Sequence, residues 1–381
     1  MQLKKLDLLG KPYRIYAEVL ESGAIDQFVN CMSLPDVVQG ALMPDAHTGY
    51  VMPIGAVVAT RGTIYPSFVG YDIGCGMSAT KLDISLGDVD GLEKAIYEAI
   101  RAEVPVGFAK NTNGQITEAA TWQGTLNVQH SGMINEFVGY GPMCLGTLGG
   151  GNHFIEIGYD EQSNLWIIIH SGSRSVGQKI AEHYMAIAAD GGKSEEAHAL
   201  GTTSIEGARY IVDMEYGLQF ALKNRPLMTH RVIRAISGVM GRRVTSSEFI
   251  NRNHNHAELR DGLWIHRKGA THAEAGMMGV IPGNMRDGCF IVRGLGNPES
   301  LYSSSHGAGR VLSRRKAKEQ ITLEQFEESM KGIPAATVGQ ATVDESPFAY
   351  KDIFKVMELQ EDLVDIVHYI KPIINVKGYS C

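Results

Sequence analysis

Six short segments of this chain put histidine, cysteine, aspartate and asparagine into turns or at strand ends, several of them rich in glycine. Side chains of those types, where backbone can approach closely, suit divalent metal and phosphate chemistry. Met43–Thr60 (MPDAHTGYVMPIGAVVAT) carries Asp45 and His47 two apart, so an extended chain turns both to one face. Gly70–Thr80 (GYDIGCGMSAT) carries Asp72 and Cys75, a carboxylate and a thiolate close enough to share a metal pair, with soft sulfur suited to bridging. Leu148–Gly158 (LGGGNHFIEIG) sets Asn152 and His153 at the mouth of a strand, with Glu156 further in. Leu165–Gly177 (LWIIIHSGSRSVG) ends an apolar run on His170 and follows it with a Ser/Gly/Arg turn. Ile250–Leu259 (INRNHNHAEL) holds His254 and Asn255, and Ser303–Arg315 (SSSHGAGRVLSRR) holds His306 before a Gly-Ala-Gly-Arg turn. Asp72, Cys75, His153, His170, His254 and His306 are thus placed for ligation instead of packing.

Other residues of the same types are read as ordinary. His130, His183, His198, His230 and His368 are expected to be hydrogen-bonded structural groups. His256, His266 and His272 lie near the fifth segment and are expected to be structural or to support a ligand from behind. Cys31, Cys144 and Cys289 are expected to be small buried apolar groups, and Cys381 to be disordered at the terminus.

The elements that must hold these residues are only partly periodic. Val51–Thr60 and Leu165–Ile169 read as buried strands, and Phe154, Ile155 and Ile157 flank Glu156 in a short strand pattern. Helices are predicted at Leu92–Glu103, Ile205–Asn224, His230–Met240 and Leu323–Met330, and one more within Ile353–Tyr369. Thr322 and Gln325 have the spacing of a capping box. Strands and helices interleave without a regular βαβ rhythm, so the fold class expected is α+β, with mixed or antiparallel sheets and flanking helices. No repeat, low-complexity tract or Pro/Ser-rich linker divides residues 1–381, which reads as one catalytic domain.

Composition narrows the function. The chain has 44% hydrophobic and 20% charged residues, as in globular enzymes, and its apolar runs are far too short to span a bilayer. The N-terminus has lysines but no apolar core or cleavage site, so no secretory signal is expected there. The five cysteines are scattered without a CxxC pair, which points to a reducing, cytoplasmic compartment and away from a zinc ribbon. A formal charge of −7 argues against broad nucleic-acid affinity, although two bound divalent cations would add about four positive charges at one point. GxxxxGK[ST], GxGxxG after a strand, and HExxH are all missing. Whatever this chain does with phosphate or metal uses a less common device.

Taken in order, GYDIGCG, GGGNHFIEI, HSGSRSVG, His254–Asn255 and HGAGRVLSR resemble the RtcB family of RNA ligases, as do DESPFAYKD (Asp344–Asp352) and IKPIINVKG (Ile370–Gly378). The resemblance runs from about Pro35 to Gly378. It implies two manganese ions on Asp72, Cys75, His153, His170 and His254, with Cys75 bridging, and GTP as the nucleotide cofactor. It makes His306 the nucleophile that carries GMP as a phosphoramidate, which fits the absence of a KxDG lysine motif. GMP would pass to an RNA 3′-phosphate, a 2′,3′-cyclic phosphate being opened first, and a 5′-hydroxyl would then close the phosphodiester. Nucleotide contacts are implied for Asn152, Glu156, Ser304, Gly307, Ala308, Gly309, Arg310, Tyr350 and Lys377, with Arg174 and Ser305 as further candidates. The partners implied are RNA and GTP, without a membrane, for a monomer.

The chain is short for the family, which suits a divergent branch serving RNA repair. It also has Arg286-Asp287-Gly288-Cys289 where a Gly and small hydroxyl residues are expected. Spacing alone does not choose manganese over zinc or cobalt. A binuclear phosphodiesterase that ignores His306, or a metal-binding partner of an RNA factor, are the alternatives.

Overall fold

A computed structural model describes residues 3–193 and 196–379. Cys381 therefore lies outside the described residues. Two sheets carry the site. The larger runs in the order Met278–Pro282, Cys289–Gly294, Val364–Lys377, Phe154–Tyr159, Asn164–Ser171, Gly76–Ser85 and Ser246–Asn253, every neighbouring pair antiparallel. The short Ala335–Ala336 strand adds to it in parallel with Val364–Lys377. The second sheet has Tyr13–Ile15, Val37–His47, Ile54–Thr60, Leu263–Lys268 and Asn255–Arg260, with one parallel pair at its edge. Mixed sheets with flanking helices make this an α+β fold, as the sequence led one to expect.

The period of two in Leu165–Ser171 explains where its histidine goes. Leu165, Ile167 and Ile169 pack with Ile96 and Ile100 of the Glu93–Glu103 helix and with Met228 and Val232 of the long Ile205–Met240 helix. Trp166 and Ile168 face the other way, against Met77, Ile250 and Ile291. His170 continues that second series, so it emerges on the face opposite the helices.

Several elements differ in extent from the sequence reading; the strand expected at Val51–Thr60 begins at Ile54. Ile205–Met240 is a single helix, not two separated near Pro226. Proline lacks the N–H that would bond Leu222 O four residues back, and Asn251 Nδ2 donates to that carbonyl instead at 2.9 Å. With its open carbonyl satisfied from the sheet, the helix continues. The helix within Ile353–Tyr369 covers only Ile353–Glu358; the Val- and Ile-rich stretch Val364–Lys377 is a strand. The turn after His170 leads straight into a helix, Arg174–Ala189, which hydrophobic patterning had not marked. Leu323–Ser329 begins with the expected Thr322/Gln325 capping box.

Candidate active site

Backbone register brings three of the six segments to one point. Gly76 pairs with Ser171 on one side and Asn253 on the other, so Cys75, His170 and His254 stand next to one another at the end of the sheet. The His254 N–H also donates to Cys75 O at 2.7 Å. Phe154 pairs with His170, which draws His153 in from the next strand. Asp72 closes the group from the loop before Cys75. Its carboxylate lies so close to Gly172 that a Cβ there would sit 2.2 Å from Oδ1, so a side chain at 172 would push the carboxylate away.

The side chains converge on their acceptor atoms. Cys75 Sγ is 3.4 Å from His153 Nε2 and 3.2 Å from His170 Nε2. His170 Nε2 faces His254 Nε2 at 3.3 Å, and His153 Nε2 faces Asp72 Oδ2 at 3.0 Å. The far nitrogens are committed. His153 Nδ1–H donates to Leu148 O and His170 Nδ1–H to Asn152 O, each at 3.1 Å. A neutral imidazole whose Nδ1 carries the proton presents a lone pair at Nε2. Lone pairs, a thiol sulfur and a carboxylate therefore point at one another. That arrangement fits a cation, and the N/O/S donor set fits manganese, zinc or cobalt. Burial and the neighbouring histidines push His170 and His254 well below the usual imidazole range. Burial would raise the Asp72 carboxyl, but His153 and Cys75 outweigh it and hold it low.

His306 stands beside this group. Its ring centroid is 4.7 Å from that of His254, nearly edge-on. Its Nδ1 lies 2.7 Å from Asp45 Oδ2, which also accepts the backbone N–H groups of His306 and Gly307 at 3.2 and 3.3 Å. Asp45 is fully buried. Gly309, at φ +76°, brings its backbone against Asp45, where a Cβ would meet Asp45 O at 2.1 Å. His47 lines the same space, held by its Nδ1 on Asp45 O at 3.0 Å.

A cavity of about 290 Å³ opens beside His306 and His170, near the lower end of the roughly 300–1,000 Å³ usual for small-molecule sites. Asn152, Glu156, Gly307, Ala308 and Gly309 line it, as do Arg310, Tyr350 and Lys377. Ser304 and Ser305 do not: they lie in the buried strand Ser303–Ser305, against Thr271 and Ala270. Arg174 also lies away from the cavity lining. It takes a left-handed φ of 59° and donates to Thr147 Oγ1 at 3.0 Å and Gly107 O at 2.8 Å.

Two buried carboxylates line the cavity. Glu345, inside a quoted motif but given no role from sequence, is its polar hub. Lys377 and the Tyr350 hydroxyl donate to Oε2 at 2.6 Å each, and Arg314 and Arg310 reach Oε1 at 2.6 and 3.2 Å. Burial opposes its ionisation, but Lys377, Arg314 and Arg310 prevail and hold it at about 2. Glu156 has only neutral partners, the Cys289 thiol at 3.2 Å and Asn375 Nδ2 at 3.1 Å. Burial lifts it to about 7. Cys289 is buried as expected, yet it donates a hydrogen bond, and so is more than packing. Arg286 turns outward and pairs with Asp287 at 2.7 Å, so the divergent stretch leaves Asn284 and Gly288 on the cavity wall.

The family model for the tRNA-splicing ligase RtcB matches residues 27–378. The chain belongs to the RtcB family. Membership makes it an RNA ligase. It is 36% identical to the RNA-splicing ligase RtcB1 of one Escherichia coli strain, over 94% of this chain and 95% of that protein. It is 35% identical to the RNA-splicing ligase RtcB of E. coli K12 over the same shares. The tRNA-splicing ligase RtcB of Archaeoglobus fulgidus is 28% identical over 92% of this chain and 88% of its own length. Among the described residues no helix is long and apolar enough to cross a membrane.

Proposed function

We propose that this RtcB-family chain, acting as one catalytic domain, joins RNA 3′-phosphate or 2′,3′-cyclic phosphate ends to 5′-hydroxyl ends through GMP carried on His306, with GTP as donor and two manganese ions as cofactor. The observation that carries the reading is the Asp45–His306 pair at the junction of the ligand group and the cavity. Asp45 accepts the Nδ1 proton, which leaves the Nε2 lone pair free as nucleophile. Asp72, Cys75, His153, His170 and His254 would hold the metal, which would supply charge stabilisation at the α-phosphate and the pyrophosphate leaving group.

The chain's own residues do the rest. His306 Nε2 forms the bond to the α-phosphorus as the bond to pyrophosphate breaks. A 2′,3′-cyclic end must first be opened by water to a 3′-phosphate; the 3′-phosphate then takes GMP and returns the lone pair to His306, and a 5′-hydroxyl, giving up its proton to solvent, displaces GMP to close the phosphodiester. Arg310 and Lys377 bring positive charge to the cavity, where phosphoryl transfer is chiefly positioning and electrostatics. Glu156, Asn152 and Tyr350 are the polar groups for the base and sugar. On this reading the chain is a cytoplasmic monomer engaged in RNA repair or tRNA splicing.

A phosphodiesterase would need the ligand group but not Asp45–His306, and one assay separates the two. The protein is incubated with manganese and α-labelled GTP, then denatured. Label retained by the wild type and lost in His306→Ala is expected. No covalent label under any condition would sink the ligase mechanism.

A further inference from the structure

Arg225 touches neither the cavity nor a metal ligand directly, yet its guanidinium binds the chain neighbour of three ligands. It is fully buried on the Ile205–Met240 helix. Nη1 donates to Gly74 O at 3.0 Å and Ser171 O at 2.8 Å, and Nη2 to Asn253 Oδ1 at 2.7 Å. Gly74 precedes Cys75, Ser171 follows His170, and Asn253 precedes His254. Nε donates to Asn251 Oδ1 at 2.6 Å, and Asn251 in turn caps the carbonyl that Pro226 leaves open. One rigid fork thus fixes the ends of three adjacent strands at the row where their ligands emerge.

The charge is as telling as the geometry. All four acceptors are neutral oxygens, and a buried guanidinium without an anion is costly. Arg231, six residues along the same helix and equally buried, is different. It pairs with Glu118 at 2.9 Å and donates to Asn111 and Gly146, away from the ligands.

We propose that Arg225 is a positioning residue of the metal centre, holding Cys75, His170 and His254 in register. The inference rests on reading the ligand group as the metal site of the ligase. Arg225→Lys keeps the charge but loses the planar fork, since an ammonium cannot bond four diverging acceptors in fixed directions.

The test is titration of the full chain with cobalt(II), followed by the thiolate-to-cobalt charge-transfer band, which reports Cys75 ligation without any activity. Arg225→Lys is expected to weaken cobalt binding roughly 10–100-fold, the usual range for groups that support metal ligands from behind, and to shift or bleach the band. Arg231→Lys is expected to lower the melting temperature while leaving cobalt affinity and the band as in the wild type. Should Arg225→Lys not fold, as judged by circular dichroism, Asn253→Ala removes one acceptor near His254 and is expected to weaken cobalt severalfold. Wild-type affinity and band in Arg225→Lys, or in Asn253→Ala where that variant stands in, overturn the proposal. A wild-type protein that shows the cobalt band but never takes the GMP label would refute the ligase mechanism and leave the role of Arg225 standing. A wild type without the band would remove both.

Discussion

Two histidine clusters sit back to back around His254 and His256, only two residues apart, and they do opposite things with the same side chains. In the first, His153 and His170 have their far nitrogens tied to backbone carbonyls, and the near ones face Cys75, Asp72 and His254. Among the described residues no lysine or arginine donates a hydrogen bond to these side chains. The second, His256 with Glu258 and His272, has ligand atoms just as close together. There the buried Arg267 donates to Glu258 Oε1 at 2.6 Å and to His256 Nε2 at 3.1 Å, while Glu274 accepts from His272 at 3.0 Å. A guanidinium already supplies the positive charge, and His256 must keep its proton on Nδ1 because Nε2 accepts. Clustered donors become a candidate metal site only where no cationic side chain already meets their lone pairs. The expectation that His256 and His272 are structural accords with this geometry.

The cavity repeats the contrast with carboxylates. Glu345 is ringed by cations and held at about 2, whereas Glu156 meets only neutral donors and rises to about 7. The first is a fixed charge; the second is poised to change.

The sharpest way to break the comparison is at the sulfur. Cys75→Ala is expected to lower RNA joining about a thousandfold or more and to abolish the cobalt charge-transfer band; near-normal joining would remove the metal assignment. Next comes Arg267→Met, which leaves Glu258 and Glu274 without their buried guanidinium. It is expected to cost about 3–5 kcal/mol in urea unfolding while the bound metal, counted by elemental analysis, stays as in the wild type. A loss of metal in that variant would mean that the two clusters act as one.

A third expectation concerns Glu156. Its folded value of about 7 lies above the ordinary 4.5. The folded state therefore holds a proton that the unfolded chain gives up, and the stability this contributes is complete below about 4.5 and lost as pH rises through about 7. Between those limits ligand-free wild type should lose about 3 kcal/mol relative to Glu156→Gln, read as the difference between their urea-unfolding curves at each pH. Parallel curves would show that Glu156 ionises as freely as an exposed carboxylate. The smallest effect is expected at Asp45→Asn, about a hundredfold in GMP labelling with the cobalt band unchanged, because the amide can present N–H or O to His306 and no longer enforces one tautomer. A changed band there would tie His306 to the metal directly.

The sequence by itself determined the donor types and much of their immediate setting. Glycine-rich turns around Asp72 and Cys75, a strand ending on His170, the Asp45-x-His47 spacing and the order of motifs were all local, and local chemistry is legible in one dimension. Tertiary structure decided what those residues meet. Nothing local to Asp45 says that its partner is His306, nor to Glu345 that three cations surround it, because those partners arrive from remote parts of the chain. Ser304 illustrates the reverse: it adjoins His306 in sequence, but strand pairing with Thr271 turns it into the interior. Arg225 was the hardest to see. Nothing in the sequence around Arg225 marks it as buried. Only the packing of that helix under three strand ends, with Asn251 closing the gap at Pro226, makes it the buried support of the ligand row, because a guanidinium can stay inside a protein only where several acceptors converge on it.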